Sequence, residues 1–281
     1  MHLRNLSADD MKGRRFASKG SIVAQKYIIS SLTKGKVNAF QQKFLHPFSH
    51  KTLFSQKNGH NIIGYVEGTK FPHQYIVLSA HYDHLGEKHG NVFNGADDNA
   101  SGTAALLGFA NNIARKPLQH SVLFLFTDGE EVNLLGAKAF IAQQNKLLPR
   151  IRLNINLDMI AGNKNTSQLH YIDRRLDNIL SNGKLSEFAE LSANQTIKVK
   201  RGFKQNNSHY KNKVRWYNAS DHGEFNREHI PFIYFGVGVH NNYHSVNDDF
   251  DRVNLTFFIK ACRSIFQYLY FLDRNITPLQ E

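Results

Sequence analysis

The stretch Ser121–Thr127 (SVLFLFT) constrains this chain more than any other, because between its hydroxyl-bearing ends it is apolar without a break. A strand with one face in water alternates apolar and polar residues; a strand that does not alternate is covered on both faces. The run therefore predicts a central strand between two layers of helices. Asn61–Val66, Tyr75–Ala80, Leu153–Leu157 and Pro231–Phe235 read as further strands. Ser21–Thr33, Ser101–Ala114, Leu134–Gln143 and Leu255–Leu272 read as helices, with apolar residues at helical spacing or rich in alanine and leucine. Alternation of strand and helix predicts the α/β class, as an α/β/α sandwich around a mixed, largely parallel sheet. A short turn, Gly68–Gln74, joins the first two strands and leaves no room there for an inserted domain. Residues 1–281 are thus expected to form one domain, a length that buries a substantial core.

Several classes of function drop out early. No apolar run approaches the roughly 20 residues that cross a bilayer. The first residues, Met1, His2, Leu3 and Arg4, lack the apolar core of a signal peptide, so the expectation is either a cytoplasmic protein or an exported one in mature form. The single cysteine, Cys262, permits no internal disulfide and reads as a buried helix residue. The formal charge of +12 raises nucleic acid as a partner. Much of that charge sits in one stretch, at Lys198, Lys200, Arg201, Lys204, Lys211, Lys213 and Arg215, which reads as a solvated basic loop. Phe203 and Tyr210 are weak support for a nucleic-acid site, and no recognition module accompanies them, so no nucleic-acid partner is expected.

In open α/β sheets, ligands sit beyond the carboxyl ends of central strands. The chemically able side chains of this sequence fall there. His81 and Asp83 follow one strand, Asp128, Glu130 and Glu131 follow SVLFLFT, Asp158 ends a third strand, and His244 lies in the loop after a fourth. Each alone is weak: a surface histidine, a solvated acidic pair or a strand-end cap would look the same. For His244, the residues His84, His89, His222 and His240 are rivals on equal grounds. The convergence is what carries weight. In His81-Tyr82-Asp83 a metal-bound imidazole would have a carboxylate for its second nitrogen. In Asn94–Gly102 (NGADDNASG) a tight loop before an alanine-rich helix would place a carboxylate beside the sheet, and a carboxylate bridges two ions through its two oxygens. In Glu130-Glu131 one carboxylate can bind metal while the other stays free as a base. Histidine and carboxylate donors without thiolate suit zinc, with cobalt or manganese as substitutes.

The ordered set HYDHLG (His81–Gly86), GADDNASG (Gly95–Gly102), TDGEE (Thr127–Glu131), NLDMI (Asn156–Ile160), SDH (Ser220–His222) and YHSVNDDFDRV (Tyr243–Val253) resembles the M28 family of metallopeptidases, as does the opening Leu6–Arg15. The resemblance covers most of the chain, and its specificity lies in the order and spacing of all six motifs. It implies a co-catalytic two-zinc exopeptidase acting on peptides, mostly an aminopeptidase. His81 and Asp158 would bind one zinc, Glu131 and His244 the other, and Asp97 would bridge them, with the ions roughly 3.5–4 Å apart. Glu130 would be the general base and Asp83 the partner of His81. Asp221 and His222 would be supports near the site. The family's cis peptide would fall at Asp97-Asp98. A carboxypeptidase or dipeptidase of the same family, or a single-zinc glutaminyl cyclase on the same fold, are the rival enzymes. A receptor-like binding module would have lost ligands that this chain retains. The resemblance also implies a periplasmic or secreted enzyme. The basic stretch before SDH is expected to rim the substrate pocket and to favour acidic or neutral peptides.

Overall fold

The computed structural model describes residues 1–53, 55–203 and 214–279. Among them lie the strands β1 (Asn38–Ala39), β2 (Leu45–Lys51), β3 (Gln56–Val66), β4 (Phe71–His81), β5 (Gly86–Lys88), β6 (Asn91–Phe93), β7 (His120–Thr127), β8 (Ile151–Leu157), β9 (Gln168–Arg174), β10 (Lys198–Arg201) and β11 (Phe232–Gly236). The helices are α1 (His2–Leu6), α2 (Lys19–Lys34), α3 (Gly102–Arg115), α4 (Leu135–Gln143), α5 (Asn182–Glu190), α6 (His222–Arg227) and α7 (Leu255–Asn275). Nine strands form one mixed sheet in the order β1-β3-β7-β4-β8-β11-β9-β10, with β2 also on β3, and β5 and β6 make a separate hairpin. The four central strands β7, β4, β8 and β11 are parallel. On either side of them β3 and β9 run antiparallel.

Strand β7 is buried along its whole length, as its unbroken apolar run requires. Its side chains divide by parity. Val122, Phe124 and Phe126 join Ile28 and Leu32 of α2, Leu106 of α3 and Ile265 of α7. Leu123 and Leu125 point the other way, to Phe140 of α4 and Phe225 of α6. Each such side chain contributes about 1.5–3 kcal/mol by leaving water, so the two layers of helices hold the central strands from both sides. Helix α7 buries Phe257, Ala261, Ile265, Leu269 and Leu272, a stripe at near four-residue spacing. It starts where Asn254 accepts the backbone N–H of Phe257 at 3.0 Å. No helix among the described residues is long and apolar enough to cross a membrane.

Two segments differ from the sequence reading. The turn between β3 and β4 is shorter than Gly68–Gln74, because β4 already begins at Phe71, with an irregularity before Tyr75. The basic stretch does not begin as a loop. Lys198–Arg201 is the edge strand β10, paired parallel to β9, with Val199 buried and its basic neighbours outside. Arg201 is held by Asp173 at 2.6 Å. Lys204, Lys211 and Lys213 lie outside the described residues.

Candidate metal centre

Because the central strands are parallel, their carboxyl ends meet at one edge, and the chain uses that edge to gather charge. β4 ends on His81, followed by the buried Asp83 and His84. β7 is followed by Asp128 and by Gly129, whose φ of +72° turns the chain into a short 3-10 segment bearing Glu130 and Glu131. Asp158 follows β8, and the loop after β11 brings back His240 and His244. Between β6 and α3, an irregular turn buries both Asp97 and Asp98.

Two groups of donor atoms result, each within 4.8 Å: His81, Glu130 and Asp158, and His84, Asp98 and Glu131. His81 Nε2 lies 3.3 Å from Asp158 Oδ1 and 3.4 Å from Asp98 Oδ1. His244 Nε2 lies 3.1 Å from Asp98 Oδ2 and 3.1 Å from Glu131 Oε2. Asp98 thus faces His81 with one oxygen and His244 with the other. Asp83 stands behind. Its carboxylate accepts the backbone N–H groups of Glu130 and Glu131 at 3.1 and 3.3 Å, and its carbonyl oxygen lies 3.1 Å from His81 Nδ1.

Of the residues singled out in the sequence, the structure brings His81, Glu130, Glu131, Asp158 and His244 together, with Asp83 beneath them. It places Asp97 elsewhere. One oxygen of Asp97 accepts the backbone N–H groups of Ala161 and Gly162 at 2.7 and 2.8 Å, and the other lies 2.8 Å from His240 Nε2. Its neighbour Asp98 takes the position between the two groups, and the cis peptide is Asp98-Asn99 rather than Asp97-Asp98. In an irregular turn, adjacent side chains point apart, so a shift of one residue exchanges an interior brace for a donor. Asp248 fixes this choice by accepting the N–H of Asp97 at 2.8 Å and of Asp98 at 2.9 Å. The sequence reading also left His84 as one histidine among several; its full burial beside Glu131 has no signature in local sequence. Asp128 turns away, accepting Ser21 Oγ and the N–H of His60. Asp221 and His222 lie outside both groups. Asp221 accepts Thr127 Oγ1 at 2.5 Å, and His222 stacks on Tyr234 with Nε2 2.7 Å from the Trp216 carbonyl oxygen.

The electrostatics are those of a carboxylate cluster short of cations. Burial pushes the Glu130 carboxyl well above its usual range, with Asp158 and Glu131 adding to the shift against the opposing pull of His81. Burial alone would lower His81, but Glu130 and Asp158 hold it well above the ordinary imidazole range. For His244, burial is outweighed by Asp98 and Glu131, which raise it to about 10. Asp98 Oδ2, Glu131 Oε1 and both ring nitrogens of His84 are buried without a hydrogen-bond partner among the described residues. A buried unpaired polar atom costs on the order of 1–3 kcal/mol, and a buried charge more. Divalent cations would satisfy these atoms and displace the imidazole protons. The donor set of imidazole and carboxylate, with no thiolate, therefore fits zinc.

Above the donors opens a cavity of about 280 Å³, with Asp98, Glu130 and Asp158 on one side and Met159, Trp216, Tyr234 and Tyr243 among its walls. Arg215 also lines it. A larger apolar groove of about 720 Å³ lies on the helical face between Leu3, Phe109 and Phe258, and no residue of the cluster lines it.

Comparison with known proteins gives the family and the fold. The sequence profile of Peptidase family M28 matches residues 61–269. Aminopeptidase YwaD of Bacillus subtilis is 33% identical over 109 residues, covering 38% of this chain and 23% of that protein. The match spans less than a quarter of that relative's length. The crystal structure of the Legionella pneumophila LapA aminopeptidase superposes with a TM-score of 0.71 at 16% identity, covering 99% of this chain and 71% of the other. Macrostomum lignano glutaminyl cyclase superposes with a TM-score of 0.70 at 20% identity, covering 99% and 92%. At these identities the structural likeness concerns the fold.

Proposed function

The chain belongs to peptidase family M28, and from that premise we propose that it is a two-zinc exopeptidase, most specifically an aminopeptidase, with Glu130 as general base. His81, Asp98 and Asp158 would hold one zinc ion, and Asp98, Glu131 and His244 the other, with Asp98 in the bridging place first assigned to Asp97. The observation that carries this reading is the two-sided placement of Asp98, whose oxygens face His81 and His244 separately. Zinc bound there supplies Lewis acidity, polarising the scissile carbonyl and making water a nucleophile near neutral pH.

The chain's own residues do the rest. Glu130 stands within reach of His81 and Asp158 and lines the cavity. It takes a proton from the attacking water onto a carboxylate oxygen and returns it to the nitrogen of the leaving amine. Asp83 holds the backbone N–H of Glu130, so the base is set before substrate arrives. Trp216, Tyr234 and Tyr243 give the cavity aromatic walls, which exclude water and raise the strength of interactions inside.

The test is metal content by mass spectrometry alongside hydrolysis of amino-acid p-nitroanilides, for wild type and Glu130→Gln. Two zinc ions per chain are expected in both proteins, with hydrolysis in wild type and a loss of at least about 100-fold in the variant. Two ions without anilide hydrolysis would turn the search to carboxypeptidase and dipeptide substrates. One ion with no hydrolysis would favour a glutaminyl cyclase.

A further inference from the structure

We propose that His84 is a fourth protein ligand of the zinc ion held by Asp98, Glu131 and His244, so that the two metal sites are unequal by construction. This rests on the two-metal reading above and deepens it. His84 Nδ1 lies 3.0 Å from Glu131 Oε1 and 3.7 Å from Asp98 Oδ2, both donors of that site. Neither ring nitrogen of His84 makes a hydrogen bond among the described residues, although the ring is fully buried. Nδ1 thus meets two carboxylates of one donor group without the alignment of a hydrogen bond, an arrangement in which the nitrogen and both oxygens can converge on one cation. The ring sits edge-on to His244, centroids 5.8 Å apart, so both imidazoles border the same pair of carboxylates.

The backbone is shaped to admit this ring. Gly95 has a φ of +53°, and a Cβ on it would stand 2.5 Å from His84 Cγ and Cδ2, besides meeting the Asp98 carbonyl oxygen. A side chain there would push the imidazole out of its slot. A bare glycine beside a buried histidine that faces only the carboxylates of the donor group is what a ligand position requires. A packing role would accept an apolar side chain in place of the ring.

The inequality has a functional consequence. A zinc ion with four protein ligands is closed, whereas catalysis needs an open position. Asp98, Glu131, His244 and His84 make the closed set. His81, Asp98 and Asp158 leave the other ion open, and Glu130, the proposed base, stands in that group. The closed ion would anchor the bridging Asp98, and water and substrate would enter at the open one.

Stepwise Co²⁺ titration of the metal-free protein, followed by visible absorption and by competition with a chromophoric chelator, tests this without reference to activity. Wild type is expected to bind two ions, one much more tightly than the other. His84→Ala is expected to weaken the tight site by more than about 100-fold, beyond the 10–100-fold that loss of an outer partner costs. Its absorption should change as water replaces imidazole, while the second site stays within about threefold. His84→Asn keeps a polar atom near the place of Nδ1 and most of the buried volume. It should recover part of the loss, and it serves as the variant should alanine not fold. The proposal is overturned if the tight site in these variants stays within threefold of wild type, or if both sites weaken alike. Fewer than two ions bound by wild type would instead sink the two-metal reading itself.

Discussion

Asp97 and Asp98 are adjacent, chemically identical and both buried, yet their surroundings differ, and on the two-zinc reading substitution of each by asparagine separates their roles. At Asp97 the carboxylate receives two backbone N–H groups, from Ala161 and Gly162, and faces His240. Hydrogen bonds to a charged acceptor contribute roughly 1.5–3 kcal/mol and neutral ones about 0.5–1.5 kcal/mol, so each bond loses about 1 kcal/mol in Asp97→Asn. With the weakened pairing to His240 added, the metal-free protein should be destabilised by about 2–3 kcal/mol. Two zinc ions should still bind, because Asp97 touches neither His81 nor His244. Asp98→Asn reverses the pattern. It removes the charge shared by both donor groups, and zinc should fall from two ions per chain to one or none, with hydrolysis lost. The assays are urea unfolding of the metal-free proteins and zinc counting after dialysis against buffered zinc. If Asp97→Asn released zinc while Asp98→Asn kept both ions, the assignment of the bridge to Asp98 would be wrong.

Two further outcomes follow from the same geometry. Arg215 lines the cavity beside the donors. Arg215→Glu is therefore expected to shift the ratio of kcat/KM for acidic over basic N-terminal residues by about 3–10-fold towards the basic ones, as a partly solvated charge contact allows, and an unchanged ratio would remove Arg215 from specificity. Burial raises the Asp128 carboxyl to about 8, with the nearby Asp83 adding to the shift. Between pH 5 and 8 the folded chain thus keeps a proton that the unfolded chain has released, and stability of the metal-free protein falls as pH rises. Asp128→Asn should flatten that slope by up to ~1.4 kcal/mol per pH unit, read from unfolding at several pH values; an unaltered slope would mean that Asp128 is charged in the folded state.

What the sequence disclosed and what it withheld divide along a physical line. The central strands were legible because a strand covered on both faces must be apolar throughout, and β7 is. The gathering of His81, Glu130, Glu131 and Asp158 at one edge was legible because β4, β7 and β8 are parallel and end there. The edge strand β10 was not, since Lys198, Lys200 and Arg201 face outward and only Val199 is buried. The choice between Asp97 and Asp98 was not legible either. It is set by partners far along the chain: Asp248 on the backbone, and Ala161, Gly162 and His240 on the side chain of Asp97. His84 was hidden for the same reason, because what marks it is its burial against Glu131 and Asp98, and only packing shows that.

Beneath the cluster lies one more positive charge, that of Arg14. Its guanidinium is wholly buried and donates to the carbonyl oxygens of Leu6, Tyr82, Asn94 and Gly95 at 2.5–3.0 Å. Burial lowers it to about 10, with Asp248, Asp83, Asp98 and Glu131 pulling the other way, so it stays charged at neutral pH. Arg14 thus acts as a resident counter-ion, covalently attached and never lost to a chelator. It pins the two loops that carry Asp83 and Asp98 and offsets part of their repulsion before any zinc arrives. Metal would then load into a seat already built, and stripping it should leave the protein folded. The residue responsible lies upstream of the stretch that carries the family's pattern, so a piece cut to residues 61–269 would hold every donor and lack the charge that keeps them together.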